Sequence, residues 1–225
     1  MSRQRPHRGP LITFEGGEGT GKSLQVARLC ATLEARGVPC LATREPGATP
    51  LGQVIEGLIR GREGMPLEPV AELLLFLADR HQHVSQVVAP ALRQGKVVIS
   101  DRFLDSSEVY QGRVRGLGWE RVRRLNQWVC GQVWPDLTIL LDLEPEVGLA
   151  RAARRQAGQG QGRDRLEREE LAFHRRVRQG YLDQARAEPE RIRVIPAAGS
   201  PQEVAARVWQ VVEPFLEDWP CGSKA

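Results

Sequence analysis

An α/β fold, with helices covering both faces of a five-stranded parallel sheet, is predicted by three observations. Short apolar, β-rich runs alternate with longer helical patterns along the whole chain. Each pair of runs is separated by enough residues for a right-handed crossover helix, so the strands pair in parallel as a doubly wound, three-layer sandwich. A glycine-rich turn follows the first run and opens the first helical pattern. The 225 residues suit one domain of this class, and 41% hydrophobic against 27% charged residues supplies a packed core.

In chain order, the expected strands are 11–14, 38–42, 96–99, 137–141 and 192–195. Helical patterns fill 23–36, 68–93, 104–130, 146–187 and 201–215. In the last of these, Ser200 stands as N-cap and Pro201 takes the first helical position. Residues 1–10 read as a disordered basic tail, 11–217 as a single domain and 218–225 as a C-terminal tail. No internal repeat or linker divides the domain. Residues 156–162, Gln-Ala-Gly-Gln-Gly-Gln-Gly, form a low-complexity loop flanked by arginines, read as part of a lid over about 148–166.

Several function classes fall away. No run approaches the ~18 apolar residues of a membrane span, and no apolar segment behind the basic N-terminus makes a signal sequence. A cytoplasmic protein is expected. Cys30, Cys40, Cys130 and Cys221 contain no C-x-x-C pair, and their spacing marks neither a zinc site nor a disulfide framework. His81 and His83, two apart, face different ways on a helix. The net charge is +4, and of 32 cationic residues only Lys22, Lys96 and Lys224 are lysine. Most of these arginines belong to solvated helix faces. Composition alone leaves nucleic acid and nucleotide phosphates equally open as polyanionic partners.

Chemistry enters at Gly16-Gly17-Glu18-Gly19-Thr20-Gly21-Lys22-Ser23, which matches G-x-x-x-x-G-K-[ST] between a strand and a helix. This is the phosphate-binding P-loop. Its backbone N–H groups and the helix N-terminus cradle an anion, Lys22 in its solvent-facing loop reaches the β- and γ-phosphates of ATP, and Ser23 offers a hydroxyl to Mg²⁺. Ligands of such sheets sit beyond the carboxyl ends of the strands. Arg44, after the second strand, and Asp101-Arg102, after the third, therefore share the crevice with Lys22. Three cations exceed what one ATP needs, so a second phosphorylated ligand is expected, with Asp101 linked to Mg²⁺ as in a Walker B strand. Phe76 and Arg80 lie four apart on one helix face, offset from the stripe of Leu73, Leu77, Val84 and Val88. Alone, Phe76 reads as core; with an arginine one turn on, it reads as an aromatic plate beside a hydrogen-bonding group.

From about Leu11 to Phe215 the chain resembles the thymidylate kinases. The resemblance rests on the P-loop segment 14–23, on Arg44-Glu-Pro-Gly in segment 44–52, on Leu75-Phe-Leu-Ala-Asp-Arg80, on Asp101-Arg-Phe-Leu-Asp-Ser-Ser107 and on segment 164–167, Asp-Arg-Leu-Glu. It implies a P-loop NTPase fold with a lid, and transfer of the γ-phosphate of ATP to dTMP, giving dTDP and ADP for dTTP synthesis. By matching position, Arg44 and Arg102 would hold the dTMP phosphate, Phe76 would stack on thymine and Arg80 would bond its O4 edge. Glu18 would accept from the 3′-hydroxyl, Ser107 would contact the base, Tyr110 would crowd the 2′ side and Gln111 would neighbour it. The loop 197–199 would meet adenine through its backbone. Gly47-Ala48-Thr49 departs from the commoner G-G-T. The P-loop interior carries no arginine, which resembles the branch whose lid supplies one. Arg151, Arg154, Arg155, Arg163 and Arg165 are the candidates, Arg154 or Arg155 ahead of Arg163. The resemblance also implies a homodimer acting on ATP and dTMP, with no nucleic acid or membrane as partner.

Other readings fit less well. A nucleoside kinase leaves the Arg44–Arg102 pair without a phosphate, and other monophosphates need a different edge reader than Phe76 with Arg80. A switch GTPase lacks its N-K-x-D guanine reader here. A nucleic-acid binder should show an external arginine stripe and steep salt dependence.

Overall fold

The computed structural model describes residues 8–60, 66–159, 165–166 and 168–219. Five parallel strands, β1 (Leu11–Glu15), β2 (Cys40–Arg44), β3 (Val97–Asp101), β4 (Leu137–Asp142) and β5 (Ile192–Pro196), lie in the order β2-β3-β1-β4-β5. The period-two alternation of strand side chains divides the core. Ile12, Phe14, Val97, Ile99, Leu137, Ile139 and Leu141 face one way, against α1 (Lys22–Ala35) and α9 (Pro201–Glu217). Leu11 and Val98 face the other way, against a helical run made of α3 (Pro69–His83), a π-helical turn (Val84–Val88) and α4 (Ala89–Arg93). Further along that face, Leu140 meets α8 (Leu171–Ala187). The doubly wound α/β sandwich expected from the sequence is the observed one.

Some boundaries move. The expected helix over 104–130 is three elements: α5 (Leu104–Ser107), a π-helical turn (Glu108–Val114) and α6 (Trp119–Cys130). Gly116 and Gly118, both at positive φ, break the run between the turn and α6. The helical pattern over 146–187, expected to be parted by the loop 156–162, is α7 (Pro145–Gln159) and α8. Helix α7 thus continues into the Gln/Gly segment expected to be loop, while residues 160–164 lie outside the described residues. An additional helix, α2 (Pro50–Arg60), occupies a stretch to which the alternation assigned no element. Pro50 opens it, and Thr49 accepts from the Gly52 N–H at 3.0 Å, as an N-cap does.

The ends of the domain also reach further than the composition indicates. Arg8 pairs with Asp136 at 2.9 Å, Gly9 N–H bonds the Leu92 carbonyl, and the buried Trp219 indole donates to the Arg8 carbonyl at 3.1 Å. Residues 8–10 and 218–219, expected in tails, therefore belong to the packed structure, whereas 1–7 and 220–225 lie outside the described residues. No helix among the described residues is long and apolar enough to cross a membrane.

Polar groups tie the layers together where apolar contact ends. Arg191, just before β5, forks both oxygens of the fully buried Asp105 at 2.7 and 2.8 Å and also bonds Thr138 on β4. Removing one partner of a buried pair typically costs about 3–5 kcal/mol because the other charge stays desolvated. We expect Arg191→Ala to lower the thermal midpoint by roughly 10 °C, given about 2–4 °C per kcal/mol for a chain of this size. Calorimetry of the variant against the parent checks this.

Candidate active site

The carboxyl ends of β1, β2 and β3 are in register, with Phe14 and Arg44 both opposite Asp101. They open into a cleft of about 760 Å³ lined by P-loop residues, Arg44, Phe76, Asp101, Arg102, Ser106, Ser107, Tyr110 and Gln111. Strand ends project backbone groups and side chains past the sheet, which is why residues far apart in sequence meet here.

The P-loop is fixed from behind. A Cβ on Gly19, at φ 68°, would stand 1.9 Å from the Gly148 carbonyl oxygen of α7, so only glycine lets the loop and the base of that helix touch. Lys22, the first residue of α1, does not sit in a solvent-facing loop. It is buried, and its Nζ donates to the carbonyls of Gly17 at 2.8 Å and Gly16 at 3.1 Å. Burial, then the nearby Arg102 charge, lowers its pKa to about 8. Ser23 Oγ donates to the Asp101 carboxylate. The two groups expected to share Mg²⁺ are thus already adjacent.

Arg102 has the one positive φ of a non-glycine residue among the described ones, 66°. Such backbone is sparsely populated and concentrates at functional sites. The turn swings the guanidinium over the P-loop, where it meets the Gly16 carbonyl at 3.3 Å, Ser106 Oγ at 3.2 Å and the Glu18 carboxylate at 2.5 Å. The Tyr110 ring lies 5.4 Å below it. Burial alone would raise the Glu18 pKa, but Arg102 and Lys22 override it and bring it to about 2. Arg44 is more exposed and pairs with Glu56 of α2 at 3.2 Å.

Phe76 is half-buried on the cleft wall, as its plate reading requires. Arg80 lies behind that wall, 1% exposed. It donates to Glu45 (2.9 Å), Ser107 Oγ (3.0 Å), Asn126 (2.8 Å) and the Phe103 carbonyl (3.2 Å). Four of its five N–H groups are therefore used within the protein. Gln111 is held by Glu72 at 2.6 Å, and the Tyr110 hydroxyl reaches Glu18 at 3.4 Å.

The lid arginines part company. Arg151 and Arg155 line the cleft; Arg151 also donates to the Ala197 carbonyl at 3.2 Å. Arg154 is exposed and not among the described lining residues. Arg165 turns away from the cleft, bonding the Ile59 carbonyl at 3.2 Å and the buried Glu72. Arg163 lies outside the described residues. In the segment expected to meet adenine, Arg151 and Arg207 take up the Ala197 and Ala198 carbonyls.

A family model described as thymidylate kinase matches residues 14–208. A thymidylate kinase of Synechococcus sp. strain JA-2-3B'a(2-13) is 55% identical over 206 residues, covering 92% of this chain and 95% of its own. One of Magnetococcus marinus is 50% identical, covering 91% and 96%. The crystal structure of thymidylate kinase from Ehrlichia chaffeensis superposes with a TM-score of 0.73 at 32% identity, over 91% of this chain and 98% of that one. The chain belongs to the thymidylate kinase family.

Three carboxylates of this thymidylate kinase carry the site, yet sequence reasoning gave none of them a role. Glu15, fully buried at the end of β1, accepts from Phe103 N–H (2.8 Å), Ser106 Oγ (2.6 Å) and Tyr181 OH (2.8 Å). Burial, then the Asp105 charge, pushes its pKa up to about 7. Glu45 holds both Arg80 and His83, and Glu72 holds Gln111 and Arg165. Glu15 had one signal available, a carboxylate at a strand end immediately before a P-loop. Glu45 stands inside the Arg44-Glu-Pro-Gly motif, whereas Glu72 had no signal, because its partners Gln111 and Arg165 are distant in sequence.

If Lys22 holds phosphate as the sequence leads us to expect, the kinase should be pH-sensitive on the alkaline side. A neutral amine no longer attracts phosphate, so kcat/KM should fall above about pH 8, where free Lys22 loses its proton. Bound phosphates favour the charged form and should move the limb of kcat to higher pH. Paired pH profiles of kcat/KM and kcat test this, and a kcat/KM flat to about pH 10 contradicts it.

Proposed function

We propose that this thymidylate kinase transfers the γ-phosphate of ATP to dTMP, giving dTDP and ADP, with ATP on the P-loop and dTMP between Arg44, Arg102 and Phe76. The observation that carries the residue assignment is the meeting of Lys22, Arg44 and Arg102 in one cleft with an aromatic wall. In this reading Gly16 to Ser23 hold ATP, and Glu18, Arg80, Ser107, Tyr110 and Gln111 complete the dTMP site. Tyr110, packed under Arg102, supports exclusion of a 2′-hydroxyl by its bulk.

Ser23 and Asp101 would hold Mg²⁺. A hydroxyl and a carboxylate side by side are the hard oxygen donors that ion prefers. When bound it would neutralise charge on the β- and γ-phosphates. The remaining work falls to the chain. Arg102 and Arg44 fix the dTMP phosphate in line with the γ-phosphorus, and Lys22 follows the charge that builds on the transferring group. No general base is needed, because the attacking phosphate oxygen is already ionised. Excluding water keeps the enzyme from hydrolysing ATP, which gives α7 and the residues after it their role as a lid. A nucleoside acceptor would leave Arg44 and Arg102 without their anion.

Exposed apolar side chains support a homodimer. Leu51, Val54 and Leu58 of α2, Val70 and Leu74 of α3, and Trp128 of α6 (81% exposed) lie on helices that pack successively against one another. Apolar patches of this kind mark association surfaces. A cytoplasmic location is proposed from the family membership.

Two experiments test these assignments. With ATP and Mg²⁺, ADP release should be fastest with dTMP in a panel of nucleoside monophosphates, and thymidine should be inert; equal turnover of thymidine would sink the acceptor site drawn here. Among the lid arginines, we assign the transition-state contact to Arg155, which lines the cleft one helical turn beyond Arg151, nearer the end of α7. Arginine fingers contribute about 10³–10⁵ in rate. Arg155→Ala should therefore lower kcat at least ~10³-fold with little change in KM, since the contact strengthens only in the transition state. Arg154→Ala should stay within a few-fold of the parent.

A further inference from the structure

Cys30 and Cys40 were unremarkable by spacing, yet the fold sets them side by side. Cys30 lies in the third turn of α1, Cys40 begins the edge strand β2, and a short connector through Gly37 turns the chain back between them. Their sulfurs stand 2.6 Å apart, against about 2.0 Å in a disulfide. Both residues are half-buried, so a small oxidant reaches them; Cys130, by contrast, is buried alone. Glu34 Oε1 lies 3.7 Å from Cys30 Sγ, which completes a Cys-Glu-Cys cluster with the composition of a metal site. Among the described residues this cluster offers three donors, one short of the four that close a structural zinc site.

We propose that Cys30 and Cys40 form a reversible intramolecular disulfide, a staple that joins the P-loop helix to β2 when the protein meets a disulfide oxidant such as oxidised glutathione. The Cys30 thiolate attacks one sulfur of oxidised glutathione, which breaks that S–S bond and releases one glutathione thiolate. The Cys40 thiolate then attacks the Cys30 sulfur of the mixed disulfide and expels the second. One S–S bond forms and one breaks, two protons leave the protein thiols and end on two glutathiones, and two electrons pass to the oxidant. The order follows from the environments. Burial, then the bond to Cys30, pushes the Cys40 thiol up to about 12, so it is the later nucleophile.

The staple sits eight residues along α1 from Lys22, about 12 Å of helix, and at the end of β2 opposite Arg44. It closes a loop of about eleven residues without entering the cleft. Oxidation is therefore expected to stabilise the fold and to leave turnover within about two-fold, with a thermal midpoint higher by several degrees.

The test uses the full chain carrying Cys221→Ser, equilibrated in glutathione mixtures of rising oxidised fraction, acid-quenched, alkylated and digested with trypsin without reductant. Cleavage after Arg28, Arg36 and Arg44 separates the two cysteines into peptides 29–36 and 37–44. A linked pair, lighter by two hydrogens than the sum of its free thiols and released by dithiothreitol, is the expected product. Cys30→Ser and Cys40→Ser should each lose the linked pair and the redox-dependent shift in thermal midpoint. Three results overturn the proposal: only glutathione adducts, only cross-linked dimers, or both thiols fully alkylated at the most oxidising mixture. One equivalent of zinc retained by the reduced protein, with no linked peptide on oxidation, overturns it in favour of a metal site.

Discussion

A guanidinium taken out of water must meet a carboxylate, and that constraint organises this molecule. Arg80 is paired with Glu45, Arg102 with Glu18, Arg165 with Glu72 and Arg191 with Asp105. Each pair ties separate elements: the turn after β2 to α3, the turn after β3 to the P-loop, the segment after α7 to α3, and the start of β5 to α5. Deleting one partner leaves the other desolvated and charged, a larger loss than the pair itself contributes. The apolar core decides that there is a sheet between helices. The buried pairs decide which strand-end groups face one another across its carboxyl edge.

The same constraint prepares the cleft for anions. Arg102 and Lys22 are held by groups that a phosphate can replace: one carboxylate oxygen, the hydroxyls of Ser106, Tyr181 and Thr20, and two loop carbonyls. In the proposed complex an incoming phosphate competes with Glu18 for Arg102, and Glu18, already held ionised well below neutral pH, is released to accept from a sugar hydroxyl. Exchanging partners within a dry cleft avoids most of the cost of desolvating a cation at the moment of binding. The left-handed turn at Arg102 is strain that this arrangement must carry, since a relaxed backbone would aim the guanidinium elsewhere.

What the sequence disclosed follows from the range of the interactions concerned. The P-loop, Arg44 and Asp101-Arg102 were legible because a strand end, a turn and a helix start are local events with local residue signatures. The sheet was legible for the same reason, as strands and helices alternate with clear periods. Helix α2 carries Leu51, Val54, Ile55, Leu58 and Ile59 at helical spacing, but glycines at 52 and 57 interrupt the pattern and weaken its signal. The burial of Lys22, the turning of Arg165 toward Glu72 and the meeting of Cys30 with Cys40 depend on how separate elements pack. No window of sequence contains both partners of the Glu72 pair, which are 93 residues apart.

Arg80 shows how such a partner changes a role without removing it. Read along its helix, it is a hydrogen-bonding group one turn from Phe76, and the family resemblance implies that it bonds a base edge. In the fold it is the floor beneath that site, with four N–H groups spent on Glu45, Ser107, Asn126 and the Phe103 carbonyl. One N–H, on Nη2, is left for a ligand, so any direct contact with thymine is a single bond from a rigid donor. Its second influence runs through Ser107. By donating to the Ser107 oxygen, Arg80 turns the hydroxyl hydrogen of that cleft-lining residue away from itself and toward an acceptor. In the proposed complex, a charge that cannot move, behind a hydroxyl whose hydrogen points outward, would favour a base presenting a carbonyl over one presenting an amino group. Discrimination of that kind needs Glu45 as much as Arg80, because without the carboxylate the guanidinium would not stay dry and fixed.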